Sequence, residues 1–305
     1  MSGQRPVVVG VDDSAGSEAA LAWAIADARR RQAPLRLLHT YRWHNSYLEM
    51  PIYGRFPMYA APSAAELQQA RDSDLHQAKQ VAEQLLATLT EQAHQATPDL
   101  EIEGVLSEGD PAPALLAESE RADLLVLGSR HLKALGSEVL GSVGAAVAAR
   151  AACPTVVVRG PAGPSDEGAS VVVGVDGGPA SEAVLRFGFE HASRHGVPLR
   201  AVLCIHPDLL ATMLWRPKQA APEQAHAWLA ESLACWRTDF PDVEVHAEVL
   251  RDHPVDGLLG VSFGQHLLVV GSHGRPALAG TLLGSVSQGV LHHASCPVAV
   301  LPHPS

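Results

Sequence analysis

Two stretches of the 305-residue sequence carry the residue types that a phosphate ligand requires. "GSHGRPALAGTLLGS" (271–285) and "GSRHLKALGSEVLGS" (128–142) agree at seven of fifteen positions, including both Gly-Ser pairs. Glycine lets a ligand approach backbone N–H groups closely. A Gly-Ser pair that opens a helix adds the N-terminal dipole and a hydroxyl donor. An aspartate directly after an apolar run accompanies each stretch: Asp12 in "VGVDDS" and Asp176 in "VGVDGG". A carboxylate there can accept hydrogen bonds from ribose hydroxyls or a base amino group. A carboxylate on one wall and backbone donors on the other describe a nucleotide cleft. The plain alternative is that the glycines make tight turns and hold no ligand.

The elements that must position these residues repeat. "VVVGVDDSAGSEAALAWA" from Val7 returns as "VVVGVDGGPASEAVLRFG" from Val171, an offset of 164, and "ADLLVLGS" returns as "QHLLVVGS" at an offset of 143. The difference falls between the second and third apolar runs, where the first copy carries "RWHNSYLEMPIYGRFPMYAAP". Residues 1–160 and 170–305 read as two domains, joined by a Gly-, Pro- and Ser-rich linker at 161–169. Runs such as "VVVGV", "LLVLGS" and "TVVVR" are apolar throughout rather than alternating, which suits parallel strands covered on both faces. Segments such as "SEAALAWAIADARRR" have helical spacing, with Ser17 as a candidate N-cap. The expectation is two tandem doubly wound α/β domains, each a five-stranded parallel sheet in the order 3-2-1-4-5 with helices on both faces. In that order the first and fourth strands flank the switch point, so their loops face one cleft.

Composition narrows the class. Hydrophobic residues make up 47% and the formal net charge is −11. A large core is therefore available. A general nucleic-acid or anionic-membrane binder, which needs a basic surface, is disfavoured. The start "MSGQRPVVVGVD" has no signal-peptide apolar region and no segment reaches spanning length, so a cytoplasmic protein is expected. Cys153, Cys204, Cys235 and Cys296 form no C-x-x-C pair. Two precede proline at equivalent strand starts and read as buried thiols.

G-x-x-G, nine residues, then G-S resembles the signature of ATP-binding universal stress proteins. Gly271, Gly274, Gly284 and Ser285 match it without a gap, and "SEGDPAPALL" and "GSVSQGVLHHASCPVAVL" also look like that family. The resemblance implies a nucleotide-binding α/β fold with ATP as the ligand. It implies that Gly271, Gly274, Gly284 and Ser285 hold the phosphates, and that Asp176 and Cys204 lie near adenine and ribose. Gly174, Arg275 and Val286 complete that set. In the first copy the matching residues are Gly10, Asp12, Thr40, Gly109, Gly128, Arg130, Gly141, Ser142 and Val143. It further implies that the last strands of the two copies pair. Association of two chains as a homodimer is also expected, and a ligand loop without catalytic machinery suggests a downstream protein that reads the bound state.

Both copies depart from the pattern. The first has His131 at the second glycine. If that position needs φ > 0, a side chain costs about 1–2 kcal/mol, roughly ten-fold in affinity, and His131→Gly should tighten binding. Arg130, His131 and Lys133 offer positive charge in return. The second copy has "RDHP" where the first has "EGDP", which alters the loop after the third strand. The second copy is expected to hold ATP more securely.

Other chemistries find less support. Lys79, Lys133 and Lys218 are the only lysines and none precedes Ser or Thr, so there is no P-loop. No G-x-S-x-G elbow supports a hydrolase. His191 and His195 in "HASRH" have i, i+4 metal spacing, but no third ligand is apparent. The aromatics Tyr41, Trp43, Tyr47, Tyr53, Phe56 and Tyr59 read as a loop packed over the cleft. No residue is placed as a catalytic base, which favours a regulatory module over an enzyme. The alternatives are slow ATP hydrolysis or phosphoryl transfer with Mg²⁺ through His273, and a nucleotide-free dimerisation scaffold.

Overall fold

The computed structural model describes residues 4–42, 64–132, 137–159, 168–178, 180–205, 222–272 and 283–303. Gly274, Arg275, His273, Lys133, the insert aromatics from Trp43 to Tyr59 and most of the linker lie outside the described residues. The first half runs β1 (Val7–Gly10), α1 (Ala15–Arg31), β2 (Leu35–Tyr41), α2 (Ala64–Ala96), β3 (Ile102–Glu108), α3 (Pro111–Ser119), β4 (Leu124–Gly128), β5 (Arg130–Leu132), β6 (Ser137–Val139), α4 (Ser142–Arg150) and β7 (Thr155–Val158). The second runs β8 (Val171–Val175), α5 (Ser181–His195), β9 (Leu199–Cys204), α6 (Pro222–Asp239), β10 (Val245–Leu250), α7 (Pro254–Ser262), β11 (Leu267–Gly271), α8 (Ser285–His293) and β12 (Val298–Leu301).

The main sheet has ten strands in the order β10-β9-β8-β11-β12-β7-β4-β1-β2-β3. All neighbours within each half are parallel, and β12 pairs antiparallel with β7, Ala299 opposite Val156. The sequence reading divided the chain into two five-stranded sheets and expected their last strands to pair. That pairing, β7 with β12, is present, and it makes one continuous ten-stranded sheet with the carboxyl ends of the two sets of strands at opposite edges.

Burial explains the arrangement. Val7, Val8 and Val9 of β1, and Val171, Val172 and Val173 of β8, are all fully enclosed. Consecutive buried residues require cover on both faces, and helices supply it. One face carries an apolar core that runs through both halves and includes Leu21 of α1, Leu86 of α2, Phe189 of α5 and Leu229 of α6. The other face holds separate clusters under α3 and α4 and under α7 and α8. The outer strands β3 and β10 are only half covered. Their charges are paired with the next strand, Arg36 with Glu103 at 2.8 Å and Arg200 with Glu248 at 2.5 Å. Charged edges of this kind discourage further strand addition.

Local signals set the helix starts. Pro111 and Pro254 occupy the first turns of α3 and α7, where a missing N–H costs nothing. The cap of α1 is Ser14, whose side chain accepts from the Ser17 N–H. Ser17, the candidate cap from sequence, lies inside the first turn; its buried hydroxyl accepts from the Asp12 N–H at 2.9 Å.

Candidate functional site

The end of β1 is built for close approach. A Cβ on Gly10 would lie 2.8 Å from a Leu127 methyl carbon, and one on Gly128 would lie 2.1 Å from the Gly16 carbonyl oxygen. The reciprocal Cβ on Gly16 would meet the Ser129 carbonyl oxygen at 2.0 Å. The first turn of α1 therefore rests directly on the backbone at the end of β4. That contact brings the two strand-end loops to one place.

Asp12 is held by its own loop. Its Oδ1 accepts from the Ser14 N–H at 3.0 Å and from the Ser14 hydroxyl at 2.5 Å. Asp176 is held in the same way, its Oδ1 accepting from the Gly178 N–H at 2.8 Å and the Ser181 hydroxyl at 3.2 Å. In both halves one carboxylate oxygen is engaged by the turn.

The opposite wall starts a helix. Gly141 and Gly284 cap α4 and α8 with extended backbone and no side-chain cap bond, and neither first turn carries an acidic residue. The N–H groups of a first turn have no intrahelical acceptor, so both helices offer donors at the carboxyl end of the sheet. In the second half the Gly284 N–H donates to the Ser272 carbonyl at 2.8 Å, fixing α8 against the end of β11.

In the first half these pieces surround a cleft of about 160 Å³. Gly10, Asp12, Thr40, Gly128, Gly141 and Val143 line it, as do Ser14, His39 and Ser129. The sequence reading did not name those last three. His39 was detectable as Thr40's neighbour on β2; its Nδ1 donates to the Val11 carbonyl at 2.7 Å. Ser142 begins α4 beside this wall. Gly109 is not among the described lining residues. Gly109 sits at φ 116° between β3 and α3, a conformation that favours glycine. Its counterpart Asp252 has no positive φ, so the two loops differ as "RDHP" against "EGDP" suggested.

The first-copy glycine stretch is not an open loop. β5 and β6 form an antiparallel hairpin in which His131 pairs with Glu138. His131 lies in the extended backbone of β5, so the backbone strain invoked for that position is absent.

In the second half Gly174, Asp176, Gly271, Gly284, Ser285 and Val286 fall at the ends of β8 and β11 and the start of α8, and β8 and β11 are neighbours. Cys204 ends β9 at the place of Thr40, but its side chain is buried, with Sγ 4.0 Å from the Pro254 carbonyl. Cys153 and Cys296 are also buried. Burial pushes the Cys153 thiol up to about 12 and the Cys296 thiol up to about 11, so both are inert as nucleophiles near neutral pH.

A second cluster lies where α1 meets α5. Asp27 is fully buried beside His191 and His195 of α5. Burial opposes its charge, but the hydrogen bond with His195 and the Arg31 guanidinium outweigh burial and hold it well below the usual carboxylate range. Burial, then the neighbouring His195, keeps His191 far below its ordinary value, and the same two causes lower His266 to about 4. These two rings are neutral at pH 7.

The pattern of the universal stress protein family matches residues 4–159 and again 169–302. A universal stress protein of Mycobacterium tuberculosis is 35% identical over 299 residues, covering 97% of each chain. One from Mycolicibacterium smegmatis is 34% identical over 306 residues, covering 97% of this chain and 96% of its own. Among solved structures, a universal stress protein from Archaeoglobus fulgidus superposes with a TM-score of 0.70 at 16% identity, covering 99% of this chain and 97% of that one. The fold is thus shared across nearly the whole length. The chain belongs to the universal stress protein family, in tandem form, and a stress-response role comes with that membership. Among the described residues no helix is long and apolar enough to cross a membrane.

Proposed function

We propose that this chain is a cytoplasmic regulatory module that binds an adenine nucleotide, ATP by preference, at the strand-end clefts of its two domains. The observation that carries the reading is the first-half cleft, in which Gly10, Asp12, Thr40, Gly128 and Gly141 converge from separate chain segments. The chemistry fits the ligand. A turn-held carboxylate faces the place for ribose or base, and Gly16 and Gly128, which admit no Cβ, let the two strand-end loops meet around the cleft. Uncapped helix starts face the place for phosphate. The enclosed volume is below the ~300–1,000 Å³ of whole small-molecule pockets, so a nucleotide would fill it with one end and extend into the open mouth.

The two sites are proposed to be unequal. The second keeps Gly271, Gly274, Gly284 and Ser285 of the motif, with Arg275 beside them. In the first, the β5–β6 hairpin engages backbone groups of the same stretch in strand pairing. Binding acts by ordering the fourth-strand loop and changing the surface that a partner protein reads, a population shift.

Calorimetric titration of the full chain with ATP tests this. Binding should be measurable. Asp176→Ala should weaken the tighter site about 10- to 100-fold, the value of a hydrogen bond to a charged group. Absence of adenine nucleotide, both in the titration and in mass spectra of the protein as purified, would refute the proposal and favour a nucleotide-free scaffold.

A further inference from the structure

The seam between α1 and α5 carries a side-chain cluster that the nucleotide reading does not use. The spacing of His191 and His195 offered two metal ligands on one helix. The fold adds His266, just before β11, and Asp27 from the other half. The three imidazoles each present a nitrogen, and these atoms lie within 4.8 Å of one another. Asp27 Oδ1 is 3.4 Å from His191 Nδ1 and 3.3 Å from His195 Nε2. Two atoms bound at ~2.0–2.1 Å to one tetrahedral zinc stand ~3.3 Å apart. The carboxylate oxygen is therefore at ligand spacing from one nitrogen of each ring, and since the two rings lie stacked at 4.0 Å, His195 must turn for both lone pairs to meet one ion. The widest imidazole pair would close by ~1.5 Å, through rotation of His195 and His266, which are less enclosed than His191.

Independent features point to a ligand. His191 is fully buried, yet neither of its ring nitrogens has a hydrogen-bond partner among the described residues. Buried polar atoms without partners are rare and call for a cause. Asp27 is equally buried; its Oδ2 receives the Arg31 Nε–H at 2.5 Å, which leaves Oδ1 toward the imidazoles. Arg31 is the cation nearest the cluster, and its Nη1 is paired with Asp123 at 2.8 Å. A divalent ion, Asp27, Arg31 and Asp123 together carry a net charge near +1, so the guanidinium does not forbid a cation. Arg30 is directed to the Arg194 carbonyl at 3.1 Å, and Arg194 is paired with Glu190 at 2.7 Å.

We propose that His191, His195, His266 and Asp27 form a closed four-ligand site for zinc or a similar late first-row divalent cation, clamping the two halves together. Three imidazoles and one carboxylate suit such a metal. Four protein ligands leave no open position, which makes the site structural rather than catalytic. Arg31 is an outer-shell group that orients the carboxylate. Because the ligands come from both halves, the ion stabilises only the assembled seam.

The test uses the full chain, stripped with a chelator and titrated with zinc chloride against a chromophoric competitor. One zinc per chain should bind tightly and raise the thermal midpoint. Cobalt(II) in its place should give the intense visible bands of four-coordinate geometry. His266→Gln should lose those bands and weaken zinc by more than the ~10- to 100-fold of an outer-shell change. His246→Gln, on the exposed edge of β10, should leave affinity unchanged. Zinc affinity that survives His266→Gln would overturn the proposal. Should that variant fail to fold, the unaltered protein decides: only weak six-coordinate cobalt bands, or no tight zinc, would overturn it.

Discussion

At the residue scale the candidate cleft depends on atoms that are missing. Gly16 and Gly128 let a helix start and a strand end touch backbone to backbone, and neither neighbour is a flexible side chain that can yield. Gly128→Ala should therefore destabilise the protein by about 3 kcal/mol or more, the upper range of overpacking. Gly260→Ala, in α7 with open space around the new methyl, should instead stabilise by roughly 0.5–1 kcal/mol. Urea midpoints of the two variants check both signs. Most of this site was legible, because strand-end aspartates and glycine spacings are local signals. Asp12 and Asp176 stand where the pattern put them, each gripped by its own turn. The third histidine was not legible, because His266 meets His191 only through the fold. Comparing the copies would have flagged it. Offsets of 164 and 143 place Asp27, Arg31 and Asp123 at the positions of His191, His195 and His266.

At the element scale the repeat is less even than its sequence. The parallel strands were readable because enclosure on both faces demands unbroken apolar runs, as in "VVVGV". The β5–β6 hairpin was not, since "RHL" and "SEV" are short and polar and carry no period. It changes the expectation for His131. With His131 in the extended backbone of a paired strand, glycine relieves no strain and only loosens the hairpin. His131→Gly should leave ATP affinity of the first half unchanged or lower. The measurement is calorimetry in an Asp176→Ala background that silences the second site. A ten-fold gain would show that the hairpin opens when ligand binds.

At the scale of the whole molecule, the sequence marked two copies, but their joint is the larger fact. β7 and β12 pair across it, and the α1–α5 face shares one apolar core. Arg159, buried past β7, donates to the Leu291 carbonyl of α8. Interfaces this continuous unfold together. Variants that retain only Trp23 or only Trp236 should give coincident fluorescence transitions in urea. Two separated midpoints would show that the halves melt independently. The seam has one more consequence. Equivalent helices face each other there, with Arg30 against Arg194 and Asp27 against His191. Were two identical chains joined this way, every central residue would confront its own twin, aspartate against aspartate or histidine against histidine. Fusion into one polypeptide removes that mirror constraint. One side has become acidic and the other imidazole-rich, like plug and socket. Each half thereby discriminates in favour of its sibling, and a second copy of itself is the wrong partner.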